Sequence, residues 1–192
     1  MSFYSINCPD CNSNNYSVFK NPEFNKITKD QLLTIFKASS DSGLISRVVV
    51  CDNCKLKFIN PRLNSDEIED SYSNSLDDTF STQNKYRIET FKDTLKALIK
   101  SKIIKKEKHR KILDIGCASG SFLVACKELG FEPYGVEPNK SLVDYGKKNY
   151  NINILQGVLD YHTFKEEKFD IITLWDVIEH LSNPSETIEI IE

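Results

Sequence analysis

The stretch KILDIGCASGSFLVACKELGFEPYGVEP (111–138) decides the fold. KILDI is a short apolar run of the kind that forms a buried strand, and SFLVACKEL has the make-up of a helix that Gly130 closes. EPYGVEP then reads as a second strand. Between the first strand and the helix lie Asp114, Gly116, Ala118 and Gly120, with the small residues spaced two and two. Small residues at such a junction let backbone approach a bound group and turn the helix N-terminus toward it. The spacing departs from the G-x-G-x-x-G dinucleotide fingerprint, and no Gly-Lys-Ser/Thr follows to make a Walker loop. Glu137 ends the second strand about 20 residues on, where a carboxylate can accept hydrogen bonds from both ribose hydroxyls of an adenosine ligand. The bland alternative is a tight strand–helix turn followed by a surface glutamate.

Toward the C-terminus the alternation continues. KSLVDYGKKNY (140–150) is a second helix and INILQG (152–157) a third strand. KFDIITLW (168–175) is a fourth strand, nearly continuous in apolar residues as a strand inside a parallel sheet is. Asn183 and Pro184 suit the cap and first position of a helix over SETIEIIE. Strand–helix alternation of this kind predicts an α/β domain, doubly wound around a parallel sheet, over residues 111–192. On the N-terminal side, Phe91, Leu95, Leu98 and Ile99 recur at helical spacing among lysines, which predicts a linking amphipathic helix within 81–110. Residues 1–80 have a different grammar, rich in Asn, Ser and Asp, with short apolar pieces such as YSVF, LLTIF, LISRVVV and LKFI.

That first segment holds four of the six cysteines, as two C-x-x-C pairs: Cys8 and Cys11, and Cys51 and Cys54. Two such pairs supply four thiolates, a closed tetrahedral set for structural zinc, and a small polar segment needs a staple of that sort. The alternative is four reduced cysteines with no metal. Cys117 and Cys126 read as a small loop residue and a helix-packing thiol.

Composition excludes several classes. The chain carries 25 basic and 28 acidic residues, a net charge of −3, so overall charge makes no case for a nucleic-acid partner. The basic run KSKIIKKEKHRK (100–111) suits a solvated helix end; contact with RNA phosphates is the rival reading. No apolar run approaches the roughly 20 residues of a membrane helix. MSFYSINCPDC lacks the basic and apolar parts of an export signal, which predicts a cytoplasmic protein without a membrane partner.

ILDIGCASGSFLVACKELGFEPYGVEPN, followed by FDIITLWDVIEHLSNP, resembles the class I S-adenosylmethionine-dependent methyltransferases. The resemblance implies a Rossmann-like sheet and S-adenosylmethionine as cofactor. It places Asp114, Gly116 and Gly120 against the methionine part and Glu137 on the ribose, with Ala118 standing where the family usually has Gly. Many members carry an acid directly after the glycine of the third strand; here Val158 takes that place, so adenine recognition is expected from backbone groups near Val158 and Leu159, with Asp160 as the candidate side chain. The end of the fourth strand faces the reaction centre in this fold, so Trp175, Asp176, Glu179 and His180 are expected there. Some ubiquinone-pathway O-methyltransferases have a similar acid-x-x-Glu-His run implicated in divalent-metal binding. Asp176, Glu179 and His180 therefore have three readings: His180 as general base, a metal-orienting trio, or a set that shapes the cofactor pocket.

VVVCDNCKLKFINPRLNSDEIEDSY is similar to the N-terminal zinc module of bacterial methyltransferases that include sugar C-methyltransferases. It implies a small zinc-ribbon-like module beside the acceptor, a small molecule or a saccharide, with residues 12–50 helping to choose it. A homo-oligomer is left open. The family's sheet has seven strands ordered 3-2-1-4-5-7-6, of which four are legible, so the reading frame is expected to continue beyond 192 and the chain to be the front part of the enzyme. The rival functions are an RNA methyltransferase and a non-catalytic cofactor-binding remnant.

Overall fold

A computed structural model describes residues 3–22, 47–63, 78–107, 109–181 and 183–191. The chain forms two compact units: Met1–Ser75 with Ile178–Ile190, and Leu76–Val177 with Ile191. The apolar piece LLTIF, at 32–36, lies outside the described residues, as does most of the 12–50 span.

In the first unit, β1 (Phe3–Tyr4), β2 (Tyr16–Lys20), β3 (Val48–Cys51), β4 (Lys57–Ile59) and β5 (Arg62–Leu63) form two small antiparallel sheets, ordered β1-β5 and β2-β3-β4. Val49 pairs with Val18 on one side and Phe58 on the other, and Tyr16 stands edge-on to Phe58 at 6.0 Å. Among the described residues, Cys8, Val49, Cys51 and Phe58 form a buried cluster, two of the four being thiols. Buried Asn60 adds a polar stitch: its Oδ1 accepts the Ile6 N–H and its Nδ2 donates to the Ile6 carbonyl, both at 3.1 Å.

The second unit begins with α1 (Asp78–Lys100). The domain boundary expected at 80/81 falls in its first turn, and the helix stops ten residues short of the linking segment's expected end at 110. Lys102 adopts a left-handed φ of 61°. Its N–H bonds the Ile99 carbonyl and the Ile103 N–H bonds the Leu98 carbonyl, both at 3.0 Å. This is a Schellman stop with lysine in the position glycine usually fills, so no glycine marks the helix end in the sequence.

There follow β6 (Lys111–Ile115), α2 (Ser121–Glu128), β7 (Glu132–Glu137), α3 (Lys140–Tyr150), β8 (Ile154–Gln156) and β9 (Ile171–Thr173). The four strands make a parallel sheet ordered β8-β7-β6-β9. Gly130, at φ 89°, closes α2 with the same two-bond stop. Ile112, with Leu95 of α1, Phe122 and Leu123 of α2 and Val143 of α3, belongs to one buried cluster. Leu113, Ile115 and Val136 make a second. Alternation along β6 thus feeds two faces. The second cluster is covered by Leu159, Phe164 and Phe169 of the β8–β9 connection, where a doubly wound sheet would carry a helix. Tyr134, Phe164 and Phe169 interlock there edge to face, with centroids 5.4–6.2 Å apart.

The last element, α4 (Pro184–Ile191), starts as its sequence predicts: Asn183 Oδ1 faces the Glu186 N–H at 3.4 Å. Among the described residues no helix is long and apolar enough to cross a membrane.

Candidate functional site

Strand order reverses between β6 and β9, and in open α/β sheets ligands bind beyond the carboxyl ends of the strands at such a switch point. Asp114 and Thr173 are register partners there, and Thr173 Oγ1 donates to Asp114 Oδ1 at 2.7 Å. The loop leaving β6 is pulled toward β7, since the Gly116 N–H bonds the Val136 carbonyl at 2.8 Å. Gly120, at φ 82°, then turns the chain into α2. Both glycines have a steric reason to be glycine. A Cβ on Gly116, at φ 70°, would meet Val177 Cγ2 at 2.5 Å, and one on Gly120 would meet Ile152 Cδ1 at 2.1 Å. Ala118, between them, sits at φ 48°, a conformation L side chains adopt at a cost.

Glu137 is fully buried. Its Oε2 accepts the Ala118 N–H at 2.9 Å and its Oε1 the Asn139 N–H at 2.8 Å. A carboxylate offers about four lone-pair sites, so each oxygen keeps acceptor capacity for a ligand hydroxyl. Burial pushes its pKa up to about 7, against the pull of the two backbone donors. Asp114, also buried, is likewise pushed up to about 7, chiefly by desolvation; Thr173 and the Arg87 charge oppose the shift and the Glu137 charge adds to it.

Three residues of this region escaped sequence reading. Asn84, on α1 and 1% exposed, accepts from Ser119 Oγ at 2.8 Å and Ser121 Oγ at 2.9 Å, so it holds the loop's second half. Arg87 lines the cleft with Phe91, Asp114, Ala118, Ser121 and Trp175. Val177 fills the space above Gly116. The legible signal for Asn84 was its place on the same helical stripe as Ile88, Phe91 and Leu95, where a polar residue is out of pattern.

Trp175 packs against Phe91 and Phe122, with both centroid distances 5.5 Å. Its Nε1 is buried without a hydrogen-bond partner. Buried polar groups are rarely left unpaired, so an orphaned donor beside a cleft marks a place for a ligand's acceptor. Acids, a guanidinium and an unpaired donor around one loop fit a ligand with an amino-acid end and a ribose, which are polar parts of S-adenosylmethionine. Asp160 is otherwise occupied: its exposed Oδ1 accepts from the His162 and Thr163 N–H groups and the Thr163 hydroxyl, at 2.7–2.8 Å, closing a local turn.

The closing cluster is divided between the units. Trp175 and Asp176 belong to the second, and Glu179 and His180 to the first. Asp176 is exposed and left-handed, at φ 55°, and Glu179 and His180 are exposed.

The cysteines do gather. The four Sγ atoms of Cys8, Cys11, Cys51 and Cys54 lie within 4.8 Å of one another, and among the described residues they are the one group placed to hold a metal ion. Cys8 and Cys54 are 3.4 Å apart and Cys11 and Cys51 3.6 Å, too far for disulfides. Zn–S bonds of about 2.3 Å imply tetrahedral edges of about 3.8 Å, so the quartet fits zinc. Its two knuckles repeat one turn. Asn12 and Lys55 are left-handed and donate to the Cys8 and Cys51 carbonyls at 2.9 and 3.0 Å. The Cys8 and Cys51 N–H groups donate to Ser13 and Leu56 at 2.8 and 2.9 Å. Hydrogen bonds from Asn53 and the Ser13 backbone lower the Cys11 thiol to about 6, and backbone bonds lower Cys51, whereas Cys54 is pushed up, against the Leu56 backbone bond, by Asp10, burial and its neighbouring thiols.

Residues 83–192, more than half of the chain, match a family model described as a methyltransferase domain, and the chain belongs to that family. The ubiquinone biosynthesis O-methyltransferase of Coxiella burnetii is 32% identical over 96 residues, which cover 47% of this chain and 40% of that protein. Its mitochondrial namesake from Schizosaccharomyces pombe is 32% identical over 82 residues, covering 39% and 30%. The chain therefore spans two-fifths or less of the length of these curated relatives. Among solved structures, a SAM-dependent methyltransferase from Archaeoglobus fulgidus is 28% identical, with a TM-score of 0.35 over 50% of this chain and 42% of that one. Magnesium protoporphyrin IX methyltransferase from Synechocystis is 14% identical, with a TM-score of 0.44 over 62% and 59%.

Proposed function

We propose that this chain is the cofactor-binding part of an S-adenosylmethionine-dependent methyltransferase whose acceptor is a small molecule bearing a hydroxyl. The observation that carries the reading is the convergence of buried Asp114, buried Glu137, Arg87 and the Trp175 indole on one glycine loop at the switch point. When bound, the cofactor supplies a methyl group already activated by positive sulfur. Asp114 matches an ammonium and Arg87 a carboxylate, so together they would hold an amino-acid end. Glu137 fixes the loop and offers its remaining lone pairs to ribose hydroxyls. Asp160, tied into its own turn, is left with at most a peripheral part near adenine.

Transfer to oxygen needs the hydroxyl aligned and its proton taken. His180 is the candidate base, with Glu179 and Asp176 beside it in sequence. The relatives named ubiquinone biosynthesis O-methyltransferases support transfer to oxygen of a small molecule. The cysteine quartet would hold one structural zinc ion through Cys8, Cys11, Cys51 and Cys54.

The test is titration of the chain with S-adenosylhomocysteine, followed by fluorescence of Trp175, the only tryptophan present. Saturable quenching that Asp114→Ala abolishes supports the reading. Quenching that is absent in a folded chain, with calorimetry also silent, overturns it. Acceptor chemistry is then assayed with labelled cofactor and a panel of catechols, phenols and sugars.

A further inference from the structure

The first unit is assembled from the cysteine module and a stretch more than a hundred residues away, Ile178–Ile190, which includes Glu179 and His180. Among the described residues, two side-chain hydrogen bonds join them. Ser185 Oγ, near the start of α4, donates to the Pro9 carbonyl at 2.5 Å. Arg62 Nη1, from β5, donates to the Leu181 carbonyl, directly after His180. Both anchors are rigidly founded. Pro9 lies inside the first knuckle, between Cys8 and Cys11, where the Cys8–Ser13 and Asn12–Cys8 backbone bonds close the turn. Arg62 follows Asn60 by two residues, and Asn60 is stitched to Ile6, two residues before Cys8. Arg62 is also substantially desolvated, which lowers its pKa and leaves its donors dependent on protein acceptors.

We propose that the four-cysteine knuckle is an anchor for residues 178–190, so that a metal bound there positions the Glu179–His180 segment through the Ser185–Pro9 and Arg62–Leu181 hydrogen bonds. The inference rests on the zinc reading above and gives the metal a task beyond stapling its own loops. Cys8 and Cys51 belong both to the buried cluster of this unit and to the knuckle turns, so the geometry of the one depends on the other. When those turns relax, the Pro9 carbonyl moves, and Ser185 loses its acceptor. Ser185 and Arg62 are positioning residues; they act on Glu179 and His180 through the backbone.

The experiment is hydrogen–deuterium exchange of the whole chain, reading the peptide that covers 178–190, with metal content measured alongside. One zinc per chain is expected, with the 178–190 amides protected. Chelation should speed their exchange at least fivefold while peptides of β6 and α2 stay unchanged. Ser185→Ala and Arg62→Gln, tested with metal bound, should speed exchange of 178–190 and leave both the zinc content and the charge-transfer bands of the cobalt-substituted site unaltered. Ser185→Thr, which keeps the hydroxyl, should restore protection. Failure of the four cysteines to take up zinc would sink both the metal reading and the anchor. Uptake of one zinc, with exchange of 178–190 indifferent to chelation and to both variants, leaves the metal reading standing and overturns the anchor alone.

Discussion

Glu137 Oε2 accepts the Ala118 backbone N–H at 2.9 Å, so the acid that ends β7 holds the apex of the glycine loop that follows β6. A residue placed only to receive ribose would leave stability untouched when altered. Above pH 7, where the carboxylate accepts at both oxygens, Glu137→Gln keeps one acceptor and turns an amide donor toward a backbone N–H, leaving both donors buried and unpaired at a cost of roughly 1–3 kcal/mol each. Urea unfolding should register that loss, and S-adenosylhomocysteine affinity should fall with it. Lost affinity at full stability would mean that the carboxylate serves the ligand alone.

The two raised carboxyls set a pH dependence. Asp114 and Glu137 hold protons up to about pH 7 in the folded chain, whereas unfolded acids release them near pH 4. Between those values the folded state binds more protons, so stability is greatest at the acid end and falls as pH rises through 7. From pH 5.5 to 8 each group is worth on the order of 2 kcal/mol before the two are allowed to couple. Unfolding followed by Trp175 fluorescence, with the cysteine site metal-loaded, should show the decline, and Asp114→Asn should roughly halve it. Stability rising over that interval would contradict the assignment.

Ala118 occupies left-handed space, which costs a residue with a Cβ about 1–2 kcal/mol. Ala118→Gly should relieve that strain, less the extra entropy glycine brings to the unfolded chain, for a net gain of about 0.5 kcal/mol. Gly116→Ala runs the other way, because its Cβ would stand 2.5 Å from Val177 Cγ2 at a φ of 70°. Val177→Ala removes that methyl, so adding it to Gly116→Ala should recover the steric share and leave the backbone share. Thermal melts of the three variants and the double variant separate the two.

What sequence could reveal here was whatever is local. Gly130 and Asn183–Pro184 each act within one turn of their own position, and each is where its chemistry predicts. The end of α1 was hidden because Lys102 does a glycine's task. The two-pair cysteine pattern needed only spacing. Asn84, Val177 and Ser185 could not be read the same way, since their partners lie 35, 61 and 176 residues away. The Glu179–His180 pair is the sharpest case. Its position just after the fourth strand suggested that it belongs with the sheet, yet it falls within the compact unit of the cysteines. Sequence proximity to Asp176 does not specify what anchors it.

Asn84 offers the most discriminating test of how the loop is held. Its side-chain oxygen takes hydrogen bonds from both Ser119 and Ser121 while 1% exposed, so Asn84→Ala strands two hydroxyls at once and opens a small void. A stranded buried donor costs about 1–3 kcal/mol. Ser121→Ala alone removes one donor and leaves Asn84 its bond to Ser119, which should cost much less. In the double variant the hydroxyl that Asn84→Ala would strand is already gone, so the combined loss should fall short of the sum by about 0.5–3 kcal/mol. The same cycle run on S-adenosylhomocysteine affinity asks whether the loop's rigidity reaches the ligand. Non-additivity in stability and in binding together would place Asn84 as the support that keeps Ser119 and Ser121 in line. Additive losses would mean that the three side chains act independently and that the loop is held by Glu137 and its own backbone turns.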